Sequence, residues 1–297
     1  MPIVAFIRKL VPAALAVMLV PSTASAQDCD RACLGGMVTA FVDALVAGEP
    51  TGLPLADKVK MTENSGLVTF EQGLWDADLA PGTFRHDYLD TKAQVAAAHV
   101  ELRENGNPVL LSFALHIENS QIAGIETLVE RITPESVFQP SQLGQPVRGM
   151  DRPLAASERT SRDDLVATAL TYTEGLRIGN FSDGRTPFSD EAYRVENGVI
   201  TAGEGCLPSE CGMYAQRVML HPAIVPSVIA VDEENGTVLL WMNFGDTNSY
   251  GPGNALVTFE AFKIWRGEIH AVNAFFTFLP ASTPRFWDSV EPVPNIY

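Results

Sequence analysis

The strongest constraint on the fold is that the chain repeats itself. Tyr193-Arg194-Val195-Glu196-Asn197-Gly198 echoes Lys60-Met61-Thr62-Glu63-Asn64-Ser65-Gly66, and Pro187-Phe188-Ser189-Asp190 echoes Pro54-Leu55-Ala56-Asp57 at the same offset. Upstream, Phe41-Val42-Asp43-Ala44-Leu45 matches Tyr172-Thr173-Glu174-Gly175-Leu176, and each is followed three residues later by a glycine, Gly48 or Gly179. Downstream, Glu104-Asn105-Gly106 matches Glu234-Asn235-Gly236. Four echoes in one order describe a single structural unit used twice. A chain of 297 residues has room for two such domains of ordinary size.

Each copy begins with a helical pattern. Leu34, Met37, Val38, Phe41 and Leu45 make one apolar stripe over residues 31–47, with Gly48 as a stop and Pro50 beyond it. Ser161, followed by Asp163 and Asp164, caps the second helix, predicted over 161–178. Residues 59–69 read as extended with a turn at Asn64-Ser65-Gly66, and 84–91 as an irregular polar and aromatic stretch. An antiparallel meander of three strands follows at 94–103, 109–118 and 121–131, with Glu104-Asn105-Gly106-Asn107 as a hairpin turn. The second copy has strands at 225–232, 237–244, 256–265 and 268–279, and a glycine-rich loop at 245–253 without a first-copy counterpart. The domains are therefore drawn at 27–132 and 161–280. A proline-containing linker occupies 133–160, and a surface tail runs over 281–297.

Residues 1–26 read as a secretory signal. Arg8 and Lys9 precede an apolar run at 10–20 that is too short to span a bilayer, and Ala24-Ser25-Ala26 is a small-residue cleavage site. Losing Arg8 and Lys9 takes the formal charge from −16 to −18. So acidic a chain repels nucleic acid and anionic lipid, which leaves a small-molecule ligand as the expected partner of a secreted or periplasmic protein. In an oxidising compartment Cys29, Cys33, Cys206 and Cys211 favour disulfides. Of the three possible pairings, Cys29–Cys33 and Cys206–Cys211 are favoured because each closes a short loop at the edge of a repeat. No histidine sits at metal-ligand spacing from either pair, so no metal is expected.

Helix followed by curved antiparallel sheet, used twice, resembles the cone-shaped fold of the NTF2-like, or SnoaL-like, superfamily. More closely, the chain resembles DUF8021, a family of secreted fungal and bacterial proteins of unknown function. That resemblance is carried by Cys29-Asp30-Arg31-Ala32-Cys33-Leu34, Thr62-Glu63-Asn64, Gly73-Leu74, Asp90-Thr91, Arg194-Val195-Glu196-Asn197-Gly198 with Thr201, Cys206 and Cys211, Asp232-Glu233, and Phe244-Gly245. It implies an α+β chain of two tandem domains, each with a helix layer over a curved antiparallel sheet enclosing a pocket. Enzymes of that superfamily are mostly isomerases, dehydratases and cyclases that use a few polar groups in an apolar cavity, and the expectation here is cofactor-independent. The chain departs from its fungal relatives at Ala192 and Asn273.

Strand alternation selects the candidate catalytic groups. Ser112 and His116 share a face with Leu110 and Ala114. Glu126 is grouped with Ile122 and Gly124, and Asn273 takes the matching place in the second copy beside Ile269, Ala271 and Phe275. A carboxylate in one copy and an amide in the other would give two similar cavities, only one able to do base chemistry. Glu63 is a further candidate, and Tyr88 and Asp90 near His86 could serve proton transfer. Arg194, Glu196 and Asn197 are candidates for binding at the mouth of the second domain. The repeated Glu-Asn pair also fits a turn needed by the fold. Trp75, Trp241, Asn243 and Asn273 are candidates for holding a sugar or aromatic ring, although aromatic residues also serve core packing. His221, before Pro222, reads as a strand end. Nucleophile-elbow, phosphate-loop, dinucleotide and His-Glu-x-x-His patterns are absent.

The expected function is acid–base lyase, dehydratase or isomerase chemistry on a small cyclic sugar, lactone or aromatic compound. The alternatives are a non-catalytic binder of an apolar or carbohydrate ligand, and an interaction module. In the last, the halves form an internal pseudo-dimer or the chain forms a homodimer.

Overall fold

Each half starts with the expected helix. α1 (Arg31–Ala47) is capped by Asp30, which accepts from the Cys33 amide, and it ends at Gly48 in a left-handed conformation. α2 (Arg162–Ile178) is capped by Ser161 and ends in the same way at Gly179. The structure is a computed structural model that describes residues 28–140, 150, 152–203, 206, 211–216 and 218–294; the expected export signal lies outside them. The Cys29–Cys33 and Cys206–Cys211 disulfides are both present.

The first half continues with β1 (Leu55–Glu63), β2 (Gly66–Leu67), β3 (Leu79–Asp90), β4 (Val95–Glu104), β5 (Asn107–Glu118) and β6 (Gln121–Arg131). The second follows with β7 (Phe188–Glu196), β8 (Val199–Gly203), β9 (Val225–Asp232), β10 (Thr237–Asn243), β11 (Asn254–Trp265) and β12 (Glu268–Pro280). The two six-stranded sheets share one topology, β2-β1-β6-β5-β4-β3 and β8-β7-β12-β11-β10-β9. Both sheets are mixed, which corrects the antiparallel expectation. β6 returns beside β1 in the same direction, as β12 does beside β7. The intervening meander supplies the long crossover that a parallel pair needs.

Three further corrections follow from packing. Residues 84–90 of the stretch 84–91 are the end of β3, not irregular chain. Its strand pattern is obscured because Tyr88, Leu89 and Asp90 are all buried, including the charged one. Bulges in the β5–β6 and β11–β12 pairings reverse the faces locally, so Ile122 and Ile269 join the helix-facing cores while Glu126 and Asn273 face the other way. The chain after Pro280 is not a simple surface tail. Arg285 reaches Glu126 and Trp287 stacks on His116, both in the first half.

The layers run helix, sheet, sheet, helix. α1 covers one face of the first sheet and α2 one face of the second. The remaining faces pack against each other through Tyr88, Ala97, Ala114 and Leu128 on one side and Val195, Leu239, Trp241 and Phe259 on the other. Two ion pairs cross this arrangement reciprocally. Arg31 at the start of α1 binds Asp232 at the end of β9, and Arg162 at the start of α2 binds Asp90 at the end of β3. The Leu89 amide donates to Asp232 and the Val231 amide to Asp90.

Candidate functional site

The repeated Glu-Asn segment places the same two residues at the end of β1 and of β7, and the two residues have different roles. Asn64 and Asn197 take left-handed conformations, at φ 48° and 43°. Each side chain clamps the neighbouring strand: Asn64 exchanges hydrogen bonds with Val129, and Asn197 with Phe276. Asn197 is thus a structural clamp present in both halves. The glutamates have diverged. Glu63 Oε2 accepts from the Leu74 amide at 2.9 Å, and burial raises its carboxyl above the usual range. Glu196 instead faces an open cavity.

That cavity, of about 230 Å³, lies in the second half on the α2 side of the sheet. Alternation along β7 puts Ala192, Arg194 and Glu196 on this side, while Tyr193 and Val195 face the other sheet. Arg194 is held on every side. Nη1 donates to the Tyr172 hydroxyl at 2.9 Å and Nη2 to Gln216 Oε1 at 2.9 Å. Nε donates to Thr201 at 3.0 Å and lies 3.1 Å from Glu196 Oε2. Burial pulls the guanidinium toward neutrality, but Glu196 and Tyr172 outweigh it and hold Arg194 firmly charged.

Glu260 lies on β11 and pairs with Ala274 on β12, which in turn pairs with Glu196 on β7. The two carboxyls therefore flank one small residue on the same face. Complete burial, and then the nearby Glu196 charge, push the Glu260 carboxyl up to about 8, and its Oε1 has no hydrogen-bond partner among the described residues. Across the cavity His221 Nε2 lies 2.8 Å from the Tyr250 hydroxyl, and burial lowers the imidazole toward its neutral form. Tyr250 comes from the 245–253 loop, the segment without a counterpart in the first half. Phe244, Leu256, Phe276 and Phe278 supply apolar wall. The cavity wall thus combines an ion pair with a neutral imidazole–phenol pair, and the neutral carboxylic acid Glu260 lies buried behind it, a set able to give and take protons near pH 7.

Strand register locates the same positions in the first half. Glu196–Ala274–Glu260 corresponds to Glu63–Thr127–Phe113, and Arg194 corresponds to Met61. Tyr172 corresponds to Phe41 in the repeat. Phe41 packs on Phe113 with ring centroids 4.6 Å apart, and on Trp75 at 5.9 Å. Aromatic rings fill in the first half the space that polar groups surround in the second.

Residues 158–276 match the model of a domain of unknown function, DUF8021. No curated protein matches the chain. The DUF8021 region carries every polar cavity residue named above.

Of the residues singled out from sequence, Arg194 and Glu196 reach this cavity. Glu126 lies between the sheets. Burial alone would raise its carboxyl, but Arg285, bound through two nitrogens at 2.9 and 2.8 Å, and then His116 outweigh that and lower it. His116 stacks on Trp287. Tyr88 and Asn273 both approach His99 Nδ1, at 3.0 and 3.2 Å, inside the inter-sheet core. Asp90 binds Arg162. Trp75 packs beside Phe41 and Phe70, and Trp241 between the sheets. Asn243 donates to the carbonyls of Ala281 and Thr283, tying down the C-terminal segment. Tyr172, Gln216, His221, Tyr250 and Glu260 went unselected. For two of them the signal was present, since Tyr replaces Phe41 and Glu replaces Phe113 when the copies are aligned by register.

Proposed function

We propose that the chain is an exported protein of two NTF2-like, SnoaL-like domains. Its second domain binds a small cyclic compound and acts on it by cofactor-independent acid–base chemistry, as a lyase, dehydratase or isomerase. The observation that carries this reading is the pairing of Glu196, held by Arg194, with the neutral acid Glu260 beside an aromatic-walled cavity. A carboxylate ion-paired with an arginine beside a carboxyl that burial keeps protonated is an arrangement suited to proton transfer. The first domain, with Phe113 and Met61 in the matching places, then serves as a scaffold. The two disulfides suit the oxidising compartment to which the N-terminal signal would direct the chain.

The test incubates the purified protein with sugars, lactones and phenols, following binding by thermal shift and conversion by NMR. Conversion of one class is expected, and Glu196→Gln should lower its rate by about 10²–10⁴-fold. An unchanged rate in that variant would remove Glu196 from the chemistry. Compounds that bind and are never converted would leave a binding protein, the reading that the apolar walls at Phe244, Leu256 and Phe276 would then carry alone.

A further inference from the structure

The charge and size of the second-half cavity restrict what can occupy it. Among the described residues, the charged side chains on its wall are Arg194 and Glu196, and they neutralise each other at 3.1 Å. Carboxylates and phosphates are recognised by the fork of a guanidinium, through two parallel N–H groups. Here both edges of the Arg194 fork are taken. Tyr172 and Gln216 occupy the Nη1 and Nη2 side, and Thr201 and Glu196 the Nε side. An anion would have to displace these partners inside a chain of formal charge −16. A cation would have to separate Glu196 from Arg194 and leave the guanidinium buried without its counter-charge.

The volume, about 230 Å³, is roughly eight times the ~30 Å³ share of one liquid water. That holds one ring with substituents and falls below the range of drug-sized ligands. Phe276 and Phe278 contact each other, and Tyr250 stacks on Phe278 with centroids 5.5 Å apart, giving a platform for a ring face. The Glu196 carboxylate and the Tyr250 hydroxyl present polar atoms to hydroxyl groups on that ring.

We propose that this cavity admits a neutral, hydroxyl-bearing compound of a single ring and rejects carboxylates, phosphates and ammonium ions. The inference rests on the second-half cavity being the functional site, but not on the ligand being converted. The test compares catechol, benzoate, benzylammonium and 2-naphthol at pH 7 with the full exported chain, using thermal shift and calorimetry. Catechol should bind at least about tenfold more tightly than the two ions and than the two-ring naphthol, a difference of about 1.4 kcal/mol or more. Phe278→Ala, at a half-exposed position and with its fold checked by circular dichroism, should weaken catechol about tenfold or more. Equal or tighter binding of either ion, naphthol binding as well as catechol, no binding by any of the four, or catechol binding untouched by Phe278→Ala would each overturn the proposal. Catechol bound, with no sugar, lactone or phenol converted, would refute proton transfer and leave this inference standing. Conversion of an anionic compound in the cavity would do the reverse.

Discussion

Glu260 is held in the folded chain as a neutral acid, and this makes the stability of the second half depend on pH. Below about pH 4.5 the carboxyl is protonated in both folded and unfolded chains. Between there and about pH 8 the unfolded chain releases the proton and the folded chain keeps it, so folding stability falls as pH rises and levels off above 8. The loss across that window is on the order of a few kcal/mol. His221, lowered by burial, works in the opposite sense, since the folded chain resists its protonation as pH falls. Comparing wild type with Glu260→Gln removes that contribution, because His221 is common to both. Urea denaturation from pH 5 to 8.5 should show the variant gaining stability on wild type as pH rises. A difference that stays constant over this range would mean that Glu260 ionises as readily in the folded chain as in the unfolded one.

At the scale of elements, the segment after β12 binds the first half to the second. Arg285 is almost fully buried against Glu126 and also reaches Ser227, while Trp287 donates to Thr62 and lies under Lys60 and over His116. Gly124 leaves the room for that indole, since a Cβ there would stand 2.5 Å from the Trp287 ring. The chain between the halves does the complementary thing. Met150 enters the inter-sheet core, and Lys263 on β11 donates to the carbonyls of Met150 and Arg152. Arg285→Ala should cost about 3–5 kcal/mol, because it takes the two-nitrogen guanidinium partner from the buried Glu126 charge and leaves it only His116. Adding Glu126→Gln should restore part of that loss in denaturant titrations, and a double variant no better than the single one would show that packing, not charge, sets the cost. None of this attachment could be read from the sequence. The helices and the Asn105-Gly106 hairpin turn could be read, because they are set by residues within a turn or two of each other, and three of the four echoes fall at equivalent places. The fourth does not, since Glu104-Asn105-Gly106 joins β4 to β5 whereas Glu234-Asn235-Gly236 joins β9 to β10, the counterparts of β3 and β4. A lone arginine in a proline-rich tail carries no local sign of the glutamate it will meet 159 residues away. The bulges that reverse Glu126 and Asn273 were hidden in the same way, since one unpaired residue in a strand leaves the local alternation apparently intact. The cavity was half legible: Arg194 and Glu196 stood out as a motif, whereas Glu260 and Tyr172 acquire meaning only beside Phe113 and Phe41, once register aligns the copies.

For the molecule as a whole, the sheet faces turned toward each other make the two halves one folding unit. Ala97, Ala114 and Leu128 of one sheet are covered by residues of the other, so neither sheet can lose its structure without exposing apolar surface on its partner. The reciprocal pairs act in the same direction. If the first half unfolded alone, the second half would be left with Asp232 buried without Arg31, and with Arg162 deprived of Asp90 and holding only Glu291 and Glu233. The first half therefore supports a cavity whose described wall comes from the second half and, through Phe138, from the linker, and damage far from that cavity should reach it. Phe113→Ala removes a fully buried ring from the first core, at a cost of about 3–5 kcal/mol. Native-state hydrogen exchange should show that loss at the amides of β11 in the second half as fully as at those of β5, where the substitution sits. Independent halves predict the opposite outcome: β5 would lose protection while β11 kept its wild-type value, and the inter-sheet contacts would then be too weak to hold the two cores in one cooperative unit.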